Sequence, residues 1–367
     1  MLLVTLSPTT LLLQIKFYRM QMKILLLRLG AIGDIVQAAV AVAIFKNQFP
    51  SAKIDWAVSS SLAPFVATMG VADRVIAIDY DSLVKASPFS RIMALLISIR
   101  KLRQFGPYQK IANGHADKRY RLLTLFVGAK ERLKLDRPFP IVNRNRTYEY
   151  FRLLTNIDNG QLDFGLGAKL VSQSLRKAGS SAITKSFSGK YVVLAPGGAK
   201  NLLSDDHQRR WPIEHYLYLA KMLRAEGFQV VLVGALSDLW ASKFLMEIDT
   251  IDCIGKTNLQ ELFELIDRAS CVVTHDSGPL HLAAITSTPL VAIFGPTPAN
   301  ACVSFGRLST AILHKQNEIS CSPCYDGRSY ASCENNRCMT SISVQTVFEK
   351  VMMLSKAPIT STSSNAS

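Results

Sequence analysis

Asp34 closes the run Leu27-Arg28-Leu29-Gly30-Ala31-Ile32-Gly33-Asp34, in which two glycines and a carboxylate stand between an apolar stretch and a helix-period segment. Glycine lets the backbone turn tightly and approach a ligand closely. A carboxylate there has two chemistries open to it. It caps the helix by accepting free backbone N–H groups, or it faces the crevice at a strand's carboxyl end and takes a hydroxyl proton as a general base. Spacing alone leaves both open. The run is not the dinucleotide fingerprint, which needs a third glycine and an acidic residue about twenty positions on; Asp55 does not meet that position.

A second strand-to-helix junction reads Val273-Thr274-His275-Asp276-Ser277-Gly278-Pro279-Leu280-His281. Backbone N–H groups from Ser277 to Leu280 suit an anion. Asp276 would repel a phosphate and fits better as a group that orients amides or a sugar hydroxyl, with plain helix capping as the alternative. A third element pairs the turn Ala195-Pro196-Gly197-Gly198-Ala199 with Arg209-Arg210-Trp211-Pro212. Guanidinium forks bind two oxygens at once, so paired arginines beside a glycine turn suit a diphosphate; solvated surface charge is the alternative. Pro212 is placed to open a helix.

Elements must hold these groups, and the pattern supplies them in both halves. Apolar runs of four to seven residues alternate with helix-period segments, which is the signature of parallel βαβ units. Strands are expected at Lys23–Leu29, Ile54–Val58, Arg74–Ile78 and Lys110–Ala112, with helices at Gly33–Gln48, Phe89–Phe105 and Ala116–Val127. The second half is expected to run strand Tyr191–Ala195, helix Pro212–Glu226, strand Gln229–Val233, helix Asp238–Met246, strand Ile251–Cys253, helix Leu259–Ala269, strand Cys271–Thr274, a helix from Gly278 and strand Leu290–Phe294. Val344, Val347, Phe348, Val351 and Leu354 form the apolar stripe of a final helix. Ligands of open α/β sheets sit at the strands' carboxyl ends.

The 367 residues exceed one usual domain. The expected division is an N-terminal extension over 1–21, a first Rossmann-like domain over 22–176, a Ser/Gly/Lys-rich linker over 177–190, a second Rossmann-like domain over 191–356 and a disordered tail over 357–367. The extension is too short and too interrupted by polar residues for a bilayer span, and it lacks a signal peptide's basic start. Charge is uneven: residues 1–175 carry 24 Lys and Arg against 11 Asp and Glu, and residues 176–367 carry 18 against 16. The +13 half attracts anions such as a phosphorylated substrate or an acidic membrane; without an RNA- or DNA-binding motif, no nucleic-acid partner is expected. Seven cysteines, an odd number, include Cys253 and Cys271 in apolar runs, which fits reduced thiols in the cytoplasm. Cys321, Cys324, Cys333 and Cys338 have the residue type of a thiolate metal site, but their irregular spacing favours a structural loop.

Taken in order, the three motifs resemble those of glycosyltransferase family 9, the heptosyltransferases of lipopolysaccharide inner-core assembly. Arg28 to Asp34 is similar to the family's first-strand turn, Pro196-Gly197 and Arg209 to Pro212 to its Pro-Gly turn and basic-Trp-Pro element, and Asp276, Ser277, Gly278 and His281 to its Asp-Ser/Thr-Gly-x-x-His element. Cys321-Ser322-Pro323-Cys324 resembles a cysteine-rich loop found in members.

The resemblance implies the α/β GT-B fold, two Rossmann-like domains facing across an interdomain cleft, with acceptor on the first and sugar nucleotide on the second. It implies inverting transfer from ADP-heptose to the Kdo-bearing inner core on lipid A, peripherally at the inner face of the cytoplasmic membrane. Asp34 would be the base, and Arg209, where relatives often carry Lys, would neutralise the leaving diphosphate. Gly197, Gly198, Arg210, Asp238, Asp276, Ser277, Gly278, Pro279 and His281 fall on the donor side; Arg28, Gly33, Asn113, His115 and Lys118 on the acceptor side. No metal or cofactor is implied. Another sugar nucleotide, a protein acceptor, an epimerase or a non-catalytic paralogue are the alternatives.

Overall fold

Strand β1 (Lys23–Leu27) reads Lys-Ile-Leu-Leu-Leu, and its four aliphatic side chains have no exposed surface. A strand covered on both faces belongs in a parallel sheet with helices above and below, so its sequence runs apolar without alternation. The computed structural model, which describes residues 22–117, 119–135, 144–157, 162–179, 189–200, 205–303, 309–316, 318–326 and 329–356, contains two such sheets. The expected extension (1–21), tail (357–367), most of the expected linker (180–188) and Lys118 lie outside the described residues.

The chain divides into two units, the first made of Met1–Gly30, Asp34–Arg137 and Arg146–Ser174, the second of Ala31–Gly33, Pro138–Asn145 and Leu175–Ser367. The first sheet continues through β2 (Lys53–Ser59), β3 (Arg74–Ile78), β4 (Tyr108–Asn113) and β5 (Ala129–Lys134) in the order β3-β2-β1-β4-β5, all pairs parallel. Its helices are α1 (Ile32–Gln48), α2 (Ala63–Thr68), α3 (Tyr80–Lys85), α4 (Pro88–Gln104), α5 (Tyr120–Thr124), α6 (Arg146–Thr155) and α7 (Phe164–Lys177). Helix α1 is buried almost all round from Asp34 to Phe45.

The second sheet holds β6 (Tyr191–Ala195), β7 (Gln229–Leu232), β8 (Ile251–Asp252), β9 (Cys271–His275), β10 (Leu290–Phe294) and β11 (Thr310–His314) in the order β11-β10-β9-β6-β7-β8, again parallel. Helices α8 (Ile213–Ala225), α9 (Leu239–Leu245), α10 (Leu259–Asp267), α11 (Gly278–Ala284), α12 (Ala299–Cys302), α13 (Arg337–Thr340) and α14 (Val344–Lys356) complete it. Its core joins Val192, Leu194, Trp211, Tyr216, Val291 and Val347 among others.

In the first sheet the chain runs outward from β1 through β2 to β3, then returns to lay β4 on the other side of β1; in the second it does the same from β6, returning at β9. Each sheet therefore has one topological switch point, between β1 and β4 and between β6 and β9, where a crevice opens at the carboxyl ends. One expected element differs. The helix foreseen over Ala116–Val127 is only Tyr120–Thr124, and the chain then forms β5, an edge strand whose Lys130, Arg132 and Lys134 alternate outward. Such charge keeps an open edge from pairing with another chain, and it also hides the strand from a reading based on apolar runs.

Candidate functional site

The residues singled out by chemistry stand at the two switch points. Arg28, Gly33 and Asp34 follow β1; Asn113 and His115 end and follow β4; Gly197 and Gly198 follow β6; Asp276, Ser277 and Gly278 follow β9.

At the first switch point Asp34 occupies the first turn of α1 directly after Gly33, and it is not a cap. One carboxylate oxygen is held by the Arg28 guanidinium, and the other accepts from Arg146 Nη1 at 3.1 Å and from the Tyr150 hydroxyl at 2.9 Å. Burial alone would raise this carboxyl, but the Arg28 and Arg146 charges and the Tyr150 hydrogen bond outweigh it and hold it far below the usual carboxylate range. Arg28 in turn donates to Gly114 O at 2.8 Å. Gly114 has no room for a side chain, because a Cβ there would meet the Tyr150 ring at 3.0 Å and Leu27 O at 3.2 Å.

His115 and Asn113, placed on the acceptor side by the resemblance, make hydrogen bonds within the protein. His115 is buried, its Nε2 accepts from the Leu29 N–H at 2.9 Å, and its ring stacks on Tyr120 with centroids 3.6 Å apart. Burial, then the Arg28 charge, pushes it well below the ordinary histidine value, so it is neutral. Asn113 Oδ1 accepts from the His115 N–H at 3.0 Å. The His115 ring ties the turn after β4 to the turn after β1, and the Asn113 side chain braces the turn after β4 itself. Arg146 and Tyr150 were missed by sequence reasoning. Their four-residue spacing puts both on one face of α6, and that spacing was the available signal.

At the second switch point Arg209 Nη1 lies 3.1 Å from Asp276 Oδ2, and its Nη2 lies 3.1 Å from Asp206. Both residues are largely buried, which removes the solvated-surface reading of the arginine. Burial works to raise Asp276, but the Arg209 charge, the nearby His281 and a Thr297 hydrogen bond bring it to about 2. Arg210 Nε donates to Gly198 O at 2.9 Å and its other end pairs with Asp205. Trp211 anchors the basic pair from the core, its indole N–H donating to Ile342 O at 2.9 Å. Ser277 does not cap α11; its hydroxyl bonds Thr274 Oγ1 at 2.9 Å. Pro279 and His281 lie within α11. Among the described residues, Asp276, His281 and Cys302 bring three potential ligand atoms within 4.8 Å of one another.

Asp238, placed on the donor side by the resemblance, braces the turn that follows β6. It is 2% exposed, and its two oxygens accept from the Gly198 N–H at 2.9 Å and the Ala235 N–H at 2.8 Å, which fixes the β6 turn. Gly198 completes that turn at φ +85, with a Cβ position only 3.0 Å from Ser277 Cβ. Gly198→Ala is therefore expected to cost about 1–3 kcal/mol of backbone strain, read as a fall in the urea midpoint.

The four clustered cysteines are unpaired thiols. Cys338 Sγ lies against Gly295, the Cys324 N–H bonds Pro296 O at 3.1 Å, and Cys333 Sγ accepts from the Asn336 N–H at 3.2 Å. Burial, then the neighbouring Cys324, Cys333 and Cys321, pushes the Cys338 thiol up to about 11.

With this geometry in view, the model of glycosyltransferase family 9 (heptosyltransferase) matches residues 114–333. The chain belongs to glycosyltransferase family 9. The match takes in Asn113's successor Gly114, the second-unit turns and the first three clustered cysteines. Lipooligosaccharide heptosyltransferase 2 of Haemophilus influenzae is 38% identical over 96 residues, 24% of this chain and only 28% of that protein. Lipopolysaccharide heptosyltransferase 1 of Escherichia coli O18:K1:H7 is 23% identical over 314 residues, 82% of this chain and 94% of that protein. The Escherichia coli heptosyltransferase WaaC solved with ADP superposes with a TM-score of 0.66 at 16% identity, covering 91% of this chain and 100% of that one. These likenesses place the two sheets of this family 9 chain in the GT-B fold. Among its described residues no helix is long and apolar enough to cross a membrane.

Proposed function

We propose that the chain is an inverting glycosyltransferase that moves a heptosyl group from ADP-heptose to the Kdo/heptose inner core of lipopolysaccharide, working peripherally on the inner face of the cytoplasmic membrane. The observation that carries this reading is Asp34: a buried carboxylate, kept ionised by two arginines and a tyrosine, at the switch point of the first sheet. A carboxylate in that state is ionised and able to take a proton as the acceptor oxygen attacks, while the two arginines that keep it ionised also lower its basicity. The acceptor hydroxyl oxygen attacks the anomeric carbon, its proton passes to Asp34, and the bond from that carbon to the diphosphate oxygen breaks with the electron pair leaving on ADP.

Charge then grows on the leaving diphosphate, and in this reading the second unit answers it. Arg209 Nε has no hydrogen-bond partner among the described residues while both its terminal nitrogens are engaged, so the fork is fixed in place with one donor to spare. Preorganised donors of this kind stabilise developing charge without reorganising. Gly197, Gly198 and Arg210 would flank the phosphates. The relatives support the substrates by name: they are lipopolysaccharide and lipooligosaccharide heptosyltransferases, and one was solved with ADP.

The deciding experiment incubates the purified chain with ADP-heptose and with other ADP- and UDP-sugars, with and without Kdo-lipid A, and weighs the products. Heptosylated Kdo-lipid A made only from ADP-heptose supports the reading. Donor conversion without acceptor, or transfer from another sugar nucleotide alone, overturns it. Leaving-group stabilisation by guanidinium groups also predicts full transfer in excess EDTA. Loss under chelation that Mg²⁺ restores would count against this mechanism.

A further inference from the structure

Helix α4 carries two apolar stripes. Ala94, Ser98, Ile99 and Leu102 face inward, as a surface helix requires. Phe89, Ile92, Met93, Leu96 and Ile97 form a second stripe at the same helical period, and it lies open: Phe89 is 75% and Ile97 61% exposed. Arg100 and Arg103 continue that outer stripe into the last turn. Helix α5 packs beside α4 and adds Leu122, and the segment after it adds Leu125 and Phe126, the last 63% exposed.

Scattered exposed leucines mean little, but a contiguous patch of this extent marks a contact surface. Its charge says what kind. Helix α4 has four basic residues, Arg91, Arg100, Lys101 and Arg103, and no acidic one. The acids nearby, Asp79 and Asp81, belong to the N-terminal end of α3, where Asp79 caps the helix by accepting from the Ser82 N–H. An open groove of about 360 Å³ runs along the inner edge of the stripe between Phe89, Met93 and Ile97 on one side and Ile78, Asp79 and Ser82 on the other, with Lys101 also lining it. The half of the chain that bears the patch holds almost all of its excess positive charge.

We infer that α4, with the α5 segment beside it, is the surface by which the protein docks on an anionic lipid bilayer, the apolar stripe entering the acyl boundary and the basic turn meeting lipid phosphates. Apolar side chains on one stripe with basic residues alongside are what an interfacial helix presents, and the basic turn attracts a negatively charged leaflet over a Debye length. The inference rests on the lipopolysaccharide reading only for the lipid-linked acceptor that would be met there. Docking itself needs neither donor nor turnover, so the two can fail separately.

The test is sedimentation of the full chain with vesicles of phosphatidylethanolamine and phosphatidylglycerol, and with neutral phosphatidylcholine vesicles, at low and high salt. Binding to the anionic vesicles that weakens with salt is expected. The double variant Leu96→Glu and Ile97→Glu should weaken it about tenfold or more, while transfer to a delipidated, water-soluble acceptor stays at the wild-type level. Arg100→Glu with Arg103→Glu leaves the apolar stripe intact and should give the same loss, and Phe244→Glu, an exposed apolar position on α9, should not. Circular dichroism confirms that each variant is folded. No vesicle binding by the wild type, equal binding to neutral vesicles, or binding indifferent to both double variants would overturn the inference. So would a wild-type dimer in analytical ultracentrifugation that the Leu96→Glu and Ile97→Glu variant converts to monomer, because the stripe would then be covered by a second copy of the chain.

Discussion

Asp34→Asn is expected to lower the transfer rate by about 10²- to 10⁴-fold, the usual worth of a positioned base, with ADP affinity of the second unit close to wild type. The substitution keeps the side chain's shape and removes its charge, so Arg28 and Arg146 are left as two buried cations beside a neutral amide. Breaking a buried pair in this way costs about 3–5 kcal/mol. Denaturation should therefore be measured alongside activity, and a folded variant that still transfers at the wild-type rate would remove Asp34 from the chemistry.

The acid side of the pH profile tests the same group independently. Asp34 is depressed in the folded protein, so its contribution to stability is complete above the unfolded value near 4 and drains only as pH falls below that. Its ionised form persists through the same range. No acid limb from Asp34 should appear in kcat between about pH 5 and 8. Removing the Arg146 charge with Arg146→Met should bring the carboxyl back up by about 1–3 units and move a limb toward the measurable range, whereas a purely structural Arg146 would lower stability and leave the profile's shape alone.

That ionised state was not legible in the sequence, although its frame was. The β1, β6 and β9 runs are continuous Ile, Leu and Val because parallel strands are covered on both faces, and apolar periodicity reads such burial directly. The same method fell short at β5, where exposed Lys130, Arg132 and Lys134 break the run, and at α6, whose polar residues masked its period. Motif spacing picked out turns that the fold sets at the switch points but could not assign partners across distance. Arg146 reaches Asp34 from 112 residues away. Asp238, His115 and Asn113 occupy motif positions and nonetheless spend their hydrogen bonds on backbone N–H groups. A residue's type tells what it can bond, and only the fold decides whether the partner is a ligand or a neighbouring turn.

Arg209 shows what that distinction is worth. Its fork spans two carboxylates, Asp276 and Asp206, each at 3.1 Å. A lysine supplies a point charge that satisfies one. Arg209→Lys should therefore keep transfer within about tenfold of wild type while loosening the Asp206 contact, and Arg209→Met should lose about 10²- to 10³-fold, the worth of one preorganised donor. The methionine variant also strands Asp276. Held at about 2 by the guanidinium, Asp276 contributes about 2–3 kcal/mol above pH 4 that is lost as pH falls from about 4 to about 2; without Arg209 its carboxyl rises, and that stability is gone at neutral pH. The two effects separate through Asp276→Asn with Arg209→Met. If Arg209 only shields Asp276, the double variant regains stability and transfers as fast as Asp276→Asn alone. If Arg209 also meets the leaving diphosphate, stability returns and transfer stays well below that of Asp276→Asn alone.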